Sequence, residues 1–162
     1  MRRMYSENQL LKGIESQAQE NGLKVFENIV DKDGHDRFIE GDVNLEEVTG
    51  IAKLYGKWSL SGSHLMIVLC FSVENGLSLS TTLLANIPLP KWIKDKMVPV
   101  FTNNIIPYVT VVAANETYTT TQNFSLALRK QPNDDIVIYL AGATTTDKRF
   151  ARIQFDLLID NE

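Results

Sequence analysis

Cysteine is almost absent from this chain: Cys70 stands alone among 162 residues. No intrachain disulfide can form, so packing has to hold the fold. Histidine is equally scarce, and His35, His64 and one cysteine cannot by themselves make a conventional zinc site. Positive charge is thin, with 16 Lys and Arg against 20 Asp and Glu for a net charge of −4. Basic residues gather only at Arg2-Arg3, around Lys91, Lys94 and Lys96, and at Arg129-Lys130. A nucleic-acid partner is excluded on that ground, since displacing counterions from phosphate needs a clustered cationic face. The longest apolar run, residues 65–71, is under half of the roughly 20 residues a membrane helix needs. Met1-Arg2-Arg3 is followed by the polar Tyr5-Ser6-Glu7-Asn8-Gln9, so there is no apolar core of a signal peptide and the protein is expected to be soluble and made in the cytoplasm. Phosphate-loop and Gly-x-Ser-x-Gly motifs are missing, and no cofactor or metal is expected.

What is present is an ordinary globular balance, 44% apolar and 22% charged, far from the composition of disorder. Ser6 and Gln9 have capping-box spacing, and Asn21-Gly22 supplies a stop, which predicts a helix over residues 7–20. Leu11, Ile14 and Ala18 fall on a narrow stripe at a and d spacing. That stripe is either a helix seam or a docking face onto the chain's own domain. Residues 1–22 form one segment and residues 23–162 the other.

After Gly22 the pattern is strand and turn. Residues 23–29 alternate, Asp31-Lys32-Asp33-Gly34 turns, residues 38–43 read as a strand, and residues 44–50 as a turn or single helical turn. The acidic turn lacks the spaced ligands and closing Glu of a calcium loop. Ala52, Leu54, Gly56, Trp58 and Leu60 are expected on one face of the next strand. The chain breaks at Ser61-Gly62-Ser63, and His64 is expected to start a strand with its side chain bonded to backbone. In that strand Leu65, Ile67, Leu69, Phe71 and Val73 share one face while Met66, Val68 and Cys70 occupy another that is also apolar, so both sides must be covered, by a loop or by another subunit. Asn75-Gly76 signals a hairpin with a return strand over residues 77–86, Pro90 opens a short helix, and Pro99 marks an edge strand. Strands follow over residues 106–113, 117–121, 124–129, 136–140 and 151–159. The spacing predicts a mainly β protein, an antiparallel β-sandwich of jelly-roll type behind one N-terminal helix.

Catalytic chemistry is sought without result. Glu46-Glu47 and Asp134-Asp135 sit in polar turns and read as solvated charge, and Ser63 beside His64 is adjacency in sequence only. No enzyme activity is expected. For Trp92, flanked by Leu89 and Ile93, a core plug is the expected role; Tyr118, in a Thr-rich stretch, is the candidate ligand contact.

At Tyr55-Gly56-Lys57-Trp58-Ser59-Leu60-Ser61-Gly62-Ser63-His64-Leu65, with Leu89-Pro90-Lys91-Trp92-Ile93 downstream and Tyr5-Ser6-Glu7-Asn8-Gln9 upstream, the chain resembles structural proteins of tailed bacteriophages and prophages. More narrowly it resembles small fibre or receptor-binding proteins in which a short helix precedes a β-sandwich head. The resemblance implies a homotrimer located in the virion, contacts with other virion proteins, and attachment to a host-surface glycan or protein. Leu11, Ile14, Ala18, Met66 and Val68 are the candidate subunit contacts, because a narrow seam and a strand apolar on both faces suit shared surfaces. A carbohydrate-binding module of a bacterial protein is the alternative.

Overall fold

The computed structural model describes residues 34–97 and 105–159. The expected helix with Leu11, Ile14 and Ala18, the strand over residues 23–29 and the edge strand at Pro99 lie outside the described residues. The described chain is an antiparallel β-sandwich with a single short helix. Its strands are β1 (Phe38–Asp42), β2 (Asn44–Leu45), β3 (Ile51–Ser61), β4 (His64–Val73), β5 (Ser78–Leu79), β6 (Thr82–Ile87), β7 (Ile105–Ala114), β8 (Thr121–Lys130), β9 (Ile136–Leu140), β10 (Ala143–Thr144) and β11 (Arg149–Leu158); helix α1 (Lys91–Lys96) follows β6.

Nine strands hydrogen-bond in the order β1-β3-β4-β11-β7-β8-β9-β6-β2, and β10 pairs with β5. The order splits into a four-stranded layer, β1-β3-β4-β11, and a five-stranded layer, β7-β8-β9-β6-β2. One register pair, Phe150 with Ala114, joins them along one margin. Along the other margin the chain itself is the joint: β1 pairs with β3, β2 pairs with β6, and only Val43 lies between. Val43 is fully buried, and its N–H donates to the Gly56 carbonyl at 3.2 Å. Two glycines make room for this corner. A Cβ at Gly56 would meet the Val43 carbonyl at 3.0 Å, and one at Gly41 would lie 2.5 Å from the Trp58 indole nitrogen, which crosses that spot. Wrapping one sheet almost into a closed barrel leaves few bare edges.

The core lies between the layers. Leu60, Leu65, Ile67, Leu69 and Phe71 from one layer face Phe124, Leu126, Leu128 and Ile138 from the other, all buried. Phe71 stacks on Phe124 across the gap, with ring centroids 6.2 Å apart. Each such side chain contributes about 1.5–3 kcal/mol on burial. α1 plugs one end with Ile93, and Trp92 packs partly against the core.

Four local expectations are corrected. Leu54 and Ala52 point outward, because Leu54 is an extra residue in a β-bulge between Lys53 and Tyr55 that inverts the alternation upstream. Lys53 takes the inward parity at this strand's end and donates to the Val43 carbonyl at 2.9 Å. The turn at Asn75-Gly76 does not return a strand to β4, whose neighbours are β3 and β11. It sends the chain to β5 and the opposite layer, because Thr145 captures it: Gly76 N–H donates to the Thr145 carbonyl, and Thr145 N–H to the Leu77 carbonyl, both at 2.8 Å. Residues 117–120 are loop, not strand. Residues 44–50 begin with the two-residue β2 and are not helical.

Candidate functional site: two poles and an outer face

The topology gives the head two unlike ends. At one pole the Arg37 carbonyl accepts from Gly62 N–H at 2.7 Å and Ile159 N–H donates to the Ser63 carbonyl at 2.8 Å, so residues 37 and 159 both lie beside the β3–β4 hairpin. His35 stacks on Trp92 of α1 there, with ring centroids 4.1 Å apart and planes within 3°. At the far pole, where β4 ends and β11 begins, three loops meet: residues 74–77, 115–120 and 145–148.

Asn115 organises the longest of these loops. Its Oδ1 accepts from the backbone N–H of Thr119 at 2.8 Å and of Thr120 at 3.2 Å, and its Nδ2 donates to Thr119 Oγ1 at 3.0 Å. This bracket holds Tyr118 at φ +57, in the left-handed region that costs a non-glycine residue about 1 kcal/mol or more. Tyr118 is 82% exposed. The loop backbone therefore holds an aromatic ring out into solvent. The loop's root is pinned by Arg149, only 5% exposed, whose guanidinium donates to Thr120 carbonyl at 2.9 Å and Oγ1 at 3.0 Å. Arg149 carries no sequence signal beyond its charge; it sits at inward parity on β11, opposite Val73. A cleft of about 270 Å³ lies between the loops, lined entirely by polar residues including Asn75, Glu116 and Lys148.

Met66 and Val68 lie on the outer face of the four-stranded layer. Register places four rows across it: Phe38, Ser61, His64 and Leu158; then Glu40, Ser59, Met66 and Asp156; then Asp42, Lys57, Val68 and Gln154; then Tyr55, Cys70 and Arg152. Met66 is half-buried and Val68 only 5% exposed within the single chain, flanked in register by Lys57 and Gln154. Phe38 and Leu158, at the pole where the chain enters, are 62% and 75% exposed. Most polar groups on this face bond to one another. Lys57 Nζ meets Asp42 at 2.6 Å and His64 Nε2 meets Asp156 at 3.3 Å, so the His64 side chain turns to a carboxylate and not to backbone. Arg152 donates to Gln154 at 2.6 Å, and Gln154 in turn to Asp156. The hydrogen bond and charge of Lys57 hold the Asp42 carboxyl below the usual carboxylate range, and Asp42 raises Lys57 in return.

The outer face of the five-stranded layer is finished differently. Arg129 lies 4.4 Å over the Tyr139 ring, Gln131 donates to the Tyr139 hydroxyl at 3.0 Å, and the outward-pointing Ala127 and Val137 are buried beside this stack.

Among the described residues no cluster of three or more His, Cys, Asp or Glu is placed to hold a metal, and no helix is long and apolar enough to cross a membrane. No family model matches the chain, and no curated protein matches it in sequence. Among solved structures it is similar to the crystal structure of the Ad16 fiber knob, at a TM-score of 0.42 and 8% identity, over 75% of this chain and 93% of that one.

Proposed function

We propose that this chain is a non-enzymatic structural protein of a tailed-bacteriophage virion, a homotrimeric fibre, baseplate or head-fibre component that turns its loop pole toward the host surface. The observation that carries the reading is polarity. Arg37 and Ile159 bond to the β3–β4 hairpin at one end, while the braced loops with Tyr118 lie at the other. Borne by the segment that precedes Arg37, such a head would present its exposed aromatic at the far end. Residues 1–22 would supply the trimerisation helix through Leu11, Ile14 and Ala18.

The outer face bearing Met66 and Val68 supports the trimer. Three strands of about ten residues and one of five cover on the order of 570 Å², a large part of the about 800 Å² per partner of a standard interface. Lys57 is paired with Asp42 and Asp156 with His64 within the chain, so a second copy laid on the face has to meet only Glu40 and Arg152, which bonds to neutral Gln154. Light scattering on the full chain tests the reading. A trimer mass is expected at micromolar concentration, reduced by Leu11→Asp with Ile14→Asp. A single-chain mass would overturn it and favour the carbohydrate-binding module, which needs no oligomer.

A further inference from the structure

A second cavity, of about 380 Å³, opens on the outer face of the five-stranded layer, between β2, β6, β9 and the turn over residues 131–135. Its size falls within the range of small-ligand sites. Leu83, Pro132 and Val137 supply apolar wall, and Glu46, Asn86 and Gln131 supply polar groups. The side chains of Glu46 and Asn86 make no hydrogen bond to another described residue, and Gln131, whose amide N–H goes to Tyr139, keeps its carbonyl oxygen as an acceptor. The turn beneath them is rigid. Gln131 N–H donates to the Asp135 carbonyl at 2.8 Å and Asp134 N–H to the Gln131 carbonyl at 2.9 Å, while Asp135 is itself held by Asn133 at 3.0 Å and Lys94 at 3.5 Å.

We propose that this cavity binds a neutral saccharide ring. Leu83 and Pro132, over a floor at Val137 that is only 2% exposed, match the C–H surface of a pyranose. A free carboxylate, a free amide and a carbonyl oxygen match neighbouring hydroxyls, with the carboxylate making the stronger, charge-assisted bonds. Glu46 has no cation among its hydrogen-bonded partners, so an anionic sugar is disfavoured. The loop-pole cleft is lined by polar residues, and Tyr118 is not among them. Preformed walls reduce the ordering cost of binding. The cavity lies toward the pole opposite the loops, beside α1, so the proposal stands apart from the loop-pole reading.

Titration of the full-length, isotope-labelled chain with the methyl glycosides of glucose, galactose and mannose, and with N-acetylneuraminic acid as the anionic control, tests it by amide chemical shifts. At least one neutral glycoside is expected to move the signals of Asn86, Gln131 and Val137 in the millimolar range, and the acid to leave them in place. Asn86→Ala and Glu46→Gln should each weaken binding about tenfold. If Asn86→Ala loses signal dispersion and so fails to fold, the near-isosteric Glu46→Gln decides alone. Silence at those three signals, movement confined to residues 115–120, an equal response to the acid, or unchanged affinity in the variants would each overturn the proposal. A silent titration leaves the trimer mass intact, and a single-chain mass leaves the titration intact, so the two readings fail separately.

Discussion

The two outer faces of the sandwich are made from the same kind of alternating strand, yet they dispose of their apolar residues in opposite ways. On the five-stranded layer Arg129 is drawn over Tyr139, and Ala127 and Val137 are buried beside that stack. On the four-stranded layer Lys57 turns to Asp42 and Asp156 to His64, and Phe38, Tyr55 and Leu158 are left bare. A cation can roof an aromatic ring or satisfy a carboxylate, and where it does the second the apolar neighbours need another cover. The first face roofs its aromatic within one chain, although Val112 on β7 stays 63% exposed; the second leaves three large side chains bare, which the proposed contact between copies would cover.

The largest test of that contrast is the double substitution Phe38→Glu with Leu158→Glu. Both side chains are exposed in the single chain, so folding should survive, while self-association should weaken about 100-fold or more if they sit in the contact; analytical ultracentrifugation reads the change, and an unchanged mass would remove this face from the interface. Of intermediate size is Arg129→Ala, which should lower stability by about 0.5–2 kcal/mol through loss of the stack, seen as a lower urea midpoint with the oligomeric mass unaltered. A shift in mass there would erase the difference between the faces.

The smallest effect is electrostatic. Asp42 is held low, so its contribution is present at neutral pH and is lost as pH falls through its native value, below the usual aspartate range. Lys57 is held high, so its contribution persists below the usual lysine range and is lost as pH rises through its native value, above that range. Both groups are exposed and screened by salt. Denaturation across pH at low and high salt should show shallow limbs at both extremes, and Asp42→Asn should flatten both; steep limbs that resist salt would mean that the pair is covered by a copy.

Much of the fold was legible from the residues. The two-sided apolarity of residues 65–71 announced a central strand, and β4 is one, buried inward by Leu65, Ile67, Leu69 and Phe71 and outward at Val68. Pro90 announced α1, and Gly62 the hairpin before His64. The bulge at Leu54 was not legible, since an extra residue in a strand is defined by its partner's register and leaves the local pattern intact. Tyr118 could be marked as an exposed aromatic, but its bracket depends on Asn115 reaching forward over the loop and on Arg149 arriving from β11, 29 residues beyond Thr120. The saccharide cavity was hidden altogether, because Glu46, Asn86 and Gln131 come from three separate stretches, and each reads alone as a solvated polar residue.

Alternation, turn residues and a lone cysteine therefore determined that this chain is an antiparallel sandwich held by packing, because side-chain period and backbone preference act within a few residues. Tertiary structure decided where the sheet closes, at Val43 between Gly41 and Gly56, and where the turn at Asn75-Gly76 leads, toward Thr145 and away from β4. It also decided which outer face is roofed and which is bare. Those outcomes depend on pairings between residues far apart in the chain, and such pairings are set by the competition of whole strands for partners, which no local pattern encodes.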